Sequence, residues 1–229
     1  MRLQKKFNRR FKGIKTKLCL RYGDEICLEV EKNTFESYSK IQPTLSKYKG
    51  LFNFFNTIMD FNVIFISLYL AMKKLKLTAK ETVGICYEVA EEKHLSIPRP
   101  IRWLMHYIFF SFPFLLFLQN SSKNVEKCGA WEIKYFKGDG LAFDMGFECK
   151  KCGVVEFLKE NGGEELIKYC NFMDYIQSRT FGLGWQNPVN IGQGGGSCIS
   201  YMKRNRTTEI PVNLSDLIEI QSCHHHTSG

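Results

Sequence analysis

The C-terminal half of the sequence concentrates side chains that can do chemistry: Glu148, Cys149, Cys152, Glu156, Cys170, Asp174 and Cys198. The last of these follows a run in which four of the five residues from Gly192 to Gly196 are glycine. Glycine loses more backbone entropy on folding than any other residue, so a cluster needs a use. Three uses compete: a flexible loop, a tight entry into a strand, or a cradle of backbone N–H groups beside the Cys198 thiol. A nucleophilic thiol needs a group that holds it as thiolate and donors for the anion that develops. Gly194, Gly195, Gly196 and Ser197 stand where such donors would be, on the substrate-binding side of Cys198. Cys170 and Asp174 are four residues apart, on one face of a helix. There the carboxylate can accept a proton or hold a cationic amidine. Cys198 is therefore the leading nucleophile and Cys170 the second, with Asp174 as acid/base or cation anchor. Asn171 and Cys152 are expected to line the substrate pocket, Cys152 chiefly as a wall residue. Each feature also has a plain structural reading, since a buried cysteine is usually a small hydrophobe and a helical Asp is usually solvated.

Metal and redox chemistry are weaker fits. "CKKC" at 149–152 has the spacing of a zinc pair, but a structural site needs a second pair. Cys170 and Cys198 are far apart and neither is in a CxxC, while His94 and His106 lie in the other half. No strand–CxxC–helix pattern of the thioredoxin kind is evident around the motif. No metal and no cofactor are expected.

"FECKKCGVVEFLKENGGEEL", then "YCNFMD", then "IGQGGGSC" resemble the L-2-amino-thiazoline-4-carboxylic acid hydrolase family. The resemblance covers roughly residues 140–202 and extends only loosely to the N-terminal half. Phe147, Cys152, Glu156, Phe157, Gly162, Glu165, Leu166, Cys170, Asp174, Ile191, Gly194 and Cys198 follow the order of the family pattern. The resemblance implies hydrolysis at a cyclic amidine-like carbon between nitrogen and sulfur, with Asp174 holding the cation and a thiolate adding to the carbon. Alternatively Asp174 activates water directly and the thiols only line the pocket. Three positions depart from the pattern. Ile199 and Ser200 follow the last cysteine where relatives commonly have Asp-Phe. "NPVN", 187–190, replaces an Arg-Thr-x-Thr stretch and so lacks an arginine for a substrate carboxylate. The Cys170–Asp174 interval is one residue longer. The expected activity is a cysteine-dependent hydrolase acting on a C–N or C–S centre of a cyclic amidine, amide or thioester, in a natural-product setting. An acyl- or amidotransferase using the same thiol, and a non-catalytic small-molecule binding module, are the alternatives.

The elements that must position these residues read as an α+β fold, with a helical N-terminal half packed on an α+β half that carries a small antiparallel sheet. Residues 18–31 alternate enough for a short hairpin, with helix as the alternative. Residues 41–76 read as helix with a break. Residues 77–95 are the clearest helix, with Thr78 as N-cap and Glu81 completing a capping box; "SIPRP" stops it. Within the apolar segment 101–119, residues 107–118 are almost continuously apolar, but too short for a span and interrupted by Pro113. They are expected to be a buried helix or a dimer interface, with membrane-surface contact the alternative. "NSSKN", 120–124, is the linker candidate. Residues 130–149 read as two strands around Gly138-Asp139-Gly140. Residues 150–177 read as helix, a Gly162-Gly163 break, and helix; a strand is expected at 198–204. The expected organisation is a basic arm over 1–17, one domain over 18–220 (mainly helical to 124, α+β from 125), and a flexible tail over 221–229.

Composition bounds the rest. The chain has 229 residues, 44% hydrophobic, so it can bury a core and is not globally disordered. Its formal charge of +9 is uneven: residues 1–17 hold eight Lys/Arg and no acid. Such an arm is either a solvated, frayed terminus or a contact for an anionic partner. No RNA-binding or helix-turn-helix signature accompanies it, so nucleic acid is not the favoured partner. A membrane surface, met through this arm and residues 107–118, and a homodimer are the partners kept beside a small-molecule substrate. No apolar stretch follows the first basic residues, so no secretory signal is expected. Nine cysteines at irregular spacing suggest reduced thiols and a cytoplasmic protein.

Overall fold

A computed structural model describes residues 2–45, 47–49, 54–123 and 131–225, the stretch after 218 as backbone only. The fold is α+β, as expected. In chain order the helices are α1 (Arg2–Ile41), α2 (Phe54–Lys74), α3 (Ala79–Leu95), α4 (Arg99–Phe109) and α5 (Phe112–Ser121). Then come β1 (Glu132–Lys137), β2 (Met145–Lys151), α6 (Gly153–Glu160), α7 (Glu164–Ile167), α8 (Phe172–Phe181), β3 (Gln186–Val189), β4 (Cys198–Met202) and α9 (Val212–His225). Buried residues from Phe7 to Leu217 form one hydrophobic cluster spanning both halves.

The N-terminal segment is core, not arm. Phe7, Phe11, Ile14 and Leu18 recur at helical spacing and all are buried. Some of its cations are tied into the fold: Lys6 and Arg10 both bind Asp60 of α2 at 2.8 Å, and Lys17 and Arg21 pair with Glu88 of α3, while Arg2, Lys5, Arg9 and Lys12 stay exposed. The expected hairpin over 18–31 is also replaced. Gly23 leaves helical geometry at φ 81° and ψ 169°, and the helix folds back there. The ring of Phe7 meets those of Phe35 and Tyr38 at 5.1 and 5.3 Å. The same turn brings Cys19 and Cys27 to a Cα separation of 5.0 Å, where they form a disulfide. The expectation of wholly reduced thiols fails at that pair. Cys86, Cys149, Cys152, Cys170 and Cys198 are free, and Cys128 lies outside the described residues.

Helix α2 is long and apolar enough to cross a membrane, but 61% of its most apolar window is buried. It packs against α1, α3 and α6 as a core helix. The capping box of α3 forms as expected: Thr78 Oγ1 accepts from the N–H of Glu81, and Glu81 accepts from the N–H of Thr78 at 2.7 Å. The apolar stretch 101–119 is two helices, α4 and α5, bent by 77° with Pro113 in the first turn of α5. The buried-helix expectation fails for α4, which has no buried residue. Ser121 ends α5 inside the expected linker, whose Asn124 lies outside the described residues.

The sheet is antiparallel throughout, in the order β1-β2-β4-β3. Asp139 closes the β1–β2 turn by accepting the N–H groups of Leu141 and Ala142, each at 2.8 Å. Strand β3 was not anticipated because it contains Pro188. It lies at the sheet edge, where a missing N–H is tolerated. Of the expected tail, residues 221–225 continue α9 and residues 226–229 lie outside the described residues.

Candidate active site

Strand β2 runs directly into α6, and this junction makes the key position. Cys152 is the N-cap of α6, in extended geometry at φ −112° and ψ 113°. A strand–CxxC–helix order is therefore present after all, with Cys149 in the strand and Cys152 at the helix entry. Cys198 begins β4 and sits opposite Cys149 in the register. Cys170 ends the turn before α8, and Asp174 lies in the first turn of that helix. All five side chains line one cavity of about 500 Å³ between the sheet and helices α2, α5 and α8. The rest of its wall is mainly aromatic and aliphatic, including Phe61, Phe65, Trp131, Phe147 and Leu183.

The thiols differ in electrostatics. Cys152 is held below the ordinary thiol pKa, first by a hydrogen bond from the Cys149 thiol and then by the N–H groups of Val155 and Val154. Those amides are orphan donors of a helix N-terminus, a setting that favours thiolate. Cys149 is pushed up, by its interaction with Cys152 first and then by burial, and its thiol also reaches the Lys151 carbonyl at 3.1 Å. Burial pushes Cys170 well up, with Asn190 accepting a long 3.8 Å bond from its thiol. Burial also pushes Cys198 up, to about 11, despite the Ile191 N–H that reaches its sulfur at 3.3 Å. Among the described free thiols Cys152, expected as a wall residue, is the one whose surroundings favour the thiolate.

Asp174 accepts no hydrogen bond from a described residue; it is exposed and lines the cavity. Desolvation by the surrounding cavity wall raises its pKa to about 7. A first-turn position favours the charged form by only about 0.3–1 kcal/mol, too little to offset that desolvation. Tyr135, on β1, lines the same cavity, and burial first, then the Asp174 charge, keeps its phenol protonated. Trp185 is another wall residue, buried, with an indole N–H that meets no acceptor. Neither Tyr135 nor Trp185 was a sequence candidate, because burial beside a distant Asp leaves no local signal.

The glycine loop is a tight turn, not a cradle. The N–H groups of Gln193 and Gly195 bond the carbonyl of Asn190, that of Gly194 bonds Ile191, and that of Gly192 bonds Asn190 Oδ1 at 2.6 Å. A Cβ at Gly192 would lie 2.2 Å from the carbonyl oxygen of Ile167, so only glycine fits there. Gly194, Gly195, Gly196 and Ser197 are not in the cavity wall. Their service is to aim the Ile191 N–H at Cys198. Asn190 and Asn187, inside the stretch that departs from the family pattern, tie the site together. Asn190 donates to Asn187 Oδ1 at 2.6 Å, and Asn187 donates to the Ile199 carbonyl at 2.8 Å. Asn171 lines the cavity, but its amide is engaged by Asn213 of α9 at 2.8 Å. Among the described residues no group of His, Cys, Asp or Glu is arranged to hold a metal ion. Comparison of the chain with family models, curated proteins and solved structures gives no match.

Proposed function

We propose that this protein is a cysteine-dependent hydrolase acting on a C–N or C–S centre of a small, largely apolar molecule, with Cys152 as nucleophile and Asp174 as general acid and base. The observation that carries the reading is the pairing, in one apolar cavity, of a thiol held low at a helix N-cap with a carboxyl lifted to about 7. Cys152, Cys170, Asp174 and Cys198, four of the positions in the family resemblance, also converge on that cavity.

In this reading the Cys152 thiolate adds to an amide, thioester or amidine carbon. The carbon–heteroatom π pair moves onto oxygen or nitrogen, for which Tyr135 O–H and Trp185 N–H are the unpaired donors of the wall. Collapse expels the amine or thiol, which takes the proton of Asp174. The Asp174 carboxylate then removes a proton from water as its oxygen attacks the thioenzyme. Expulsion of the Cys152 thiolate completes the cycle. An amine or thiol acceptor in place of water makes the same site a transferase.

The test is turnover of a panel of apolar anilides and thioesters, with intact-mass detection of the covalent enzyme. Cys152→Ser should abolish turnover and the adduct. Asp174→Asn should slow turnover by about 10²–10⁴-fold and remove a rate loss on the alkaline side of pH 7. Cys198→Ser should keep most of the rate. Turnover that survives Cys152→Ser but dies with Cys198→Ser would move the nucleophile. Binding without turnover or adduct would leave a ligand-binding module.

A further inference from the structure

Helix α4 wears its amphipathicity inside out. Ile101, Trp103, Leu104 and Tyr107 share one face, and that face points to solvent; Trp103 is 65% exposed. Two polar side chains turn to backbone carbonyls instead, beside Met105 and Phe109, which pack on the core: Arg102 Nε donates to the Ile97 carbonyl at 2.7 Å, and His106 Nδ1 lies 2.9 Å from the Phe181 carbonyl. Helix α5 continues the exposed face with Leu116 and Phe117. A contiguous apolar face of this kind marks an interaction surface.

The charge around it points to one occupant. Residues 96–123 contain no acid at all, but include Arg99, Arg102 and Lys123. Two further cations lean on the same helix pair: Arg204 over the Phe110 ring at 4.6 Å and Lys137 over the Phe112 ring at 5.0 Å. Among the described residues, Arg99, Arg102, Lys137 and Arg204 make no ion pair. A second copy of the chain would bring this acid-free face against its own cations. A surface of anionic lipid matches both halves of the pattern. Its headgroups take the cations, and its interfacial zone takes Trp and Tyr, whose rings prefer that depth. Trp103 and Tyr107 pack edge to face at 4.5 Å and present such a pair.

We propose that α4 and α5 dock this protein on anionic membrane surfaces, with the Ile101–Trp103–Leu104–Tyr107 face lying in the headgroup zone. The arrangement differs from a basic-arm contact because its apolar face lies on α4 and α5; in the N-terminal segment Lys6, Arg10 and Lys17 are committed to acids of α2 and α3, and Arg2, Lys5, Arg9 and Lys12 are exposed. It is independent of the chemistry assigned to Cys152. It does place lipid close to the site: Phe109, Leu115 and Leu118 of the same helices wall the cavity, one helix diameter of about 10 Å away.

Vesicle flotation at physiological salt tests it. The full chain should float with phosphatidylcholine vesicles carrying about 30 mol% phosphatidylserine, and at least about tenfold less with phosphatidylcholine alone. The double variant Trp103→Glu/Leu104→Glu should lose flotation while keeping the wild-type thermal melt, because both side chains are exposed. Arg99→Glu with Lys123→Glu should weaken flotation on the anionic vesicles. Wild-type protein that stays unfloated on both vesicles overturns the proposal. So does a concentration-dependent dimer, seen by sedimentation and broken by Trp103→Glu/Leu104→Glu, in the absence of lipid binding.

Discussion

An Asp side chain in an unfolded chain ionises near 3.8; in the cavity Asp174 does so at about 7. Between those values the folded state keeps a proton that the unfolded state has lost. Stability therefore falls as pH rises from about 4 to about 7, and this contribution levels off above that. Asp174→Asn removes the charge without changing shape. The variant should melt above the wild type at pH 8, and the two curves should meet near pH 4. A wild-type melt that shows no such approach to the variant at low pH would mean that Asp174 titrates as a solvated carboxyl. The residue-level chemistry was legible only in part. Cysteine and aspartate types named Cys152, Cys170, Asp174 and Cys198, and all four meet in space. Their ranking was not legible. It depends on where β2 stops and α6 starts, which decides whose sulfur receives the Val154 and Val155 amides.

Helix α3 shows what local sequence does specify: Thr78 and Glu81 satisfy each other's backbone N–H groups with no help from the rest of the fold. The glycine loop shows the opposite case. Its composition announces a turn, but which glycine matters depends on what packs against it. Gly192 abuts the Ile167 carbonyl, whereas a Cβ at Gly196 meets nothing within 4 Å. Gly192→Ala should destabilise the protein by about 1–3 kcal/mol, as overpacking typically does. Gly196→Ala should stay within about 0.5 kcal/mol of wild type. Urea titration of both reads the difference; equal effects would refute the tight-turn account. Helix α1 was misread for a related reason. The Phe7–Phe11–Ile14–Leu18 period is plain, but its density of Lys and Arg suggested an arm. Only the acids of α2 and α3, remote in sequence, show Lys6, Arg10 and Arg21 to be partners within the fold.

At the scale of the whole molecule, residues far apart in sequence build one cavity. Helices α2 and α5 supply its apolar wall, the β2–α6 junction supplies Cys152, and α8 supplies Asp174. The helical half with an α+β half was legible from periodicity and capping. Strand β3 and the fold-back at Gly23 were not, since Pro188 and the alternating residues around Cys19 mimic other local structures. Thiol selectivity, in this account, belongs to the fold and not to any peptide within it. The most direct measurement is native-state alkylation with iodoacetamide across a pH series, with each modified cysteine mapped, and then repeated in urea. Cys152 should label first and alone on the acid side of pH 7, ahead of Cys170 and Cys198, and unfolding should erase its lead. Labelling led by Cys198 or Cys170, or the five free thiols of the described residues reacting alike in the native protein, would contradict it.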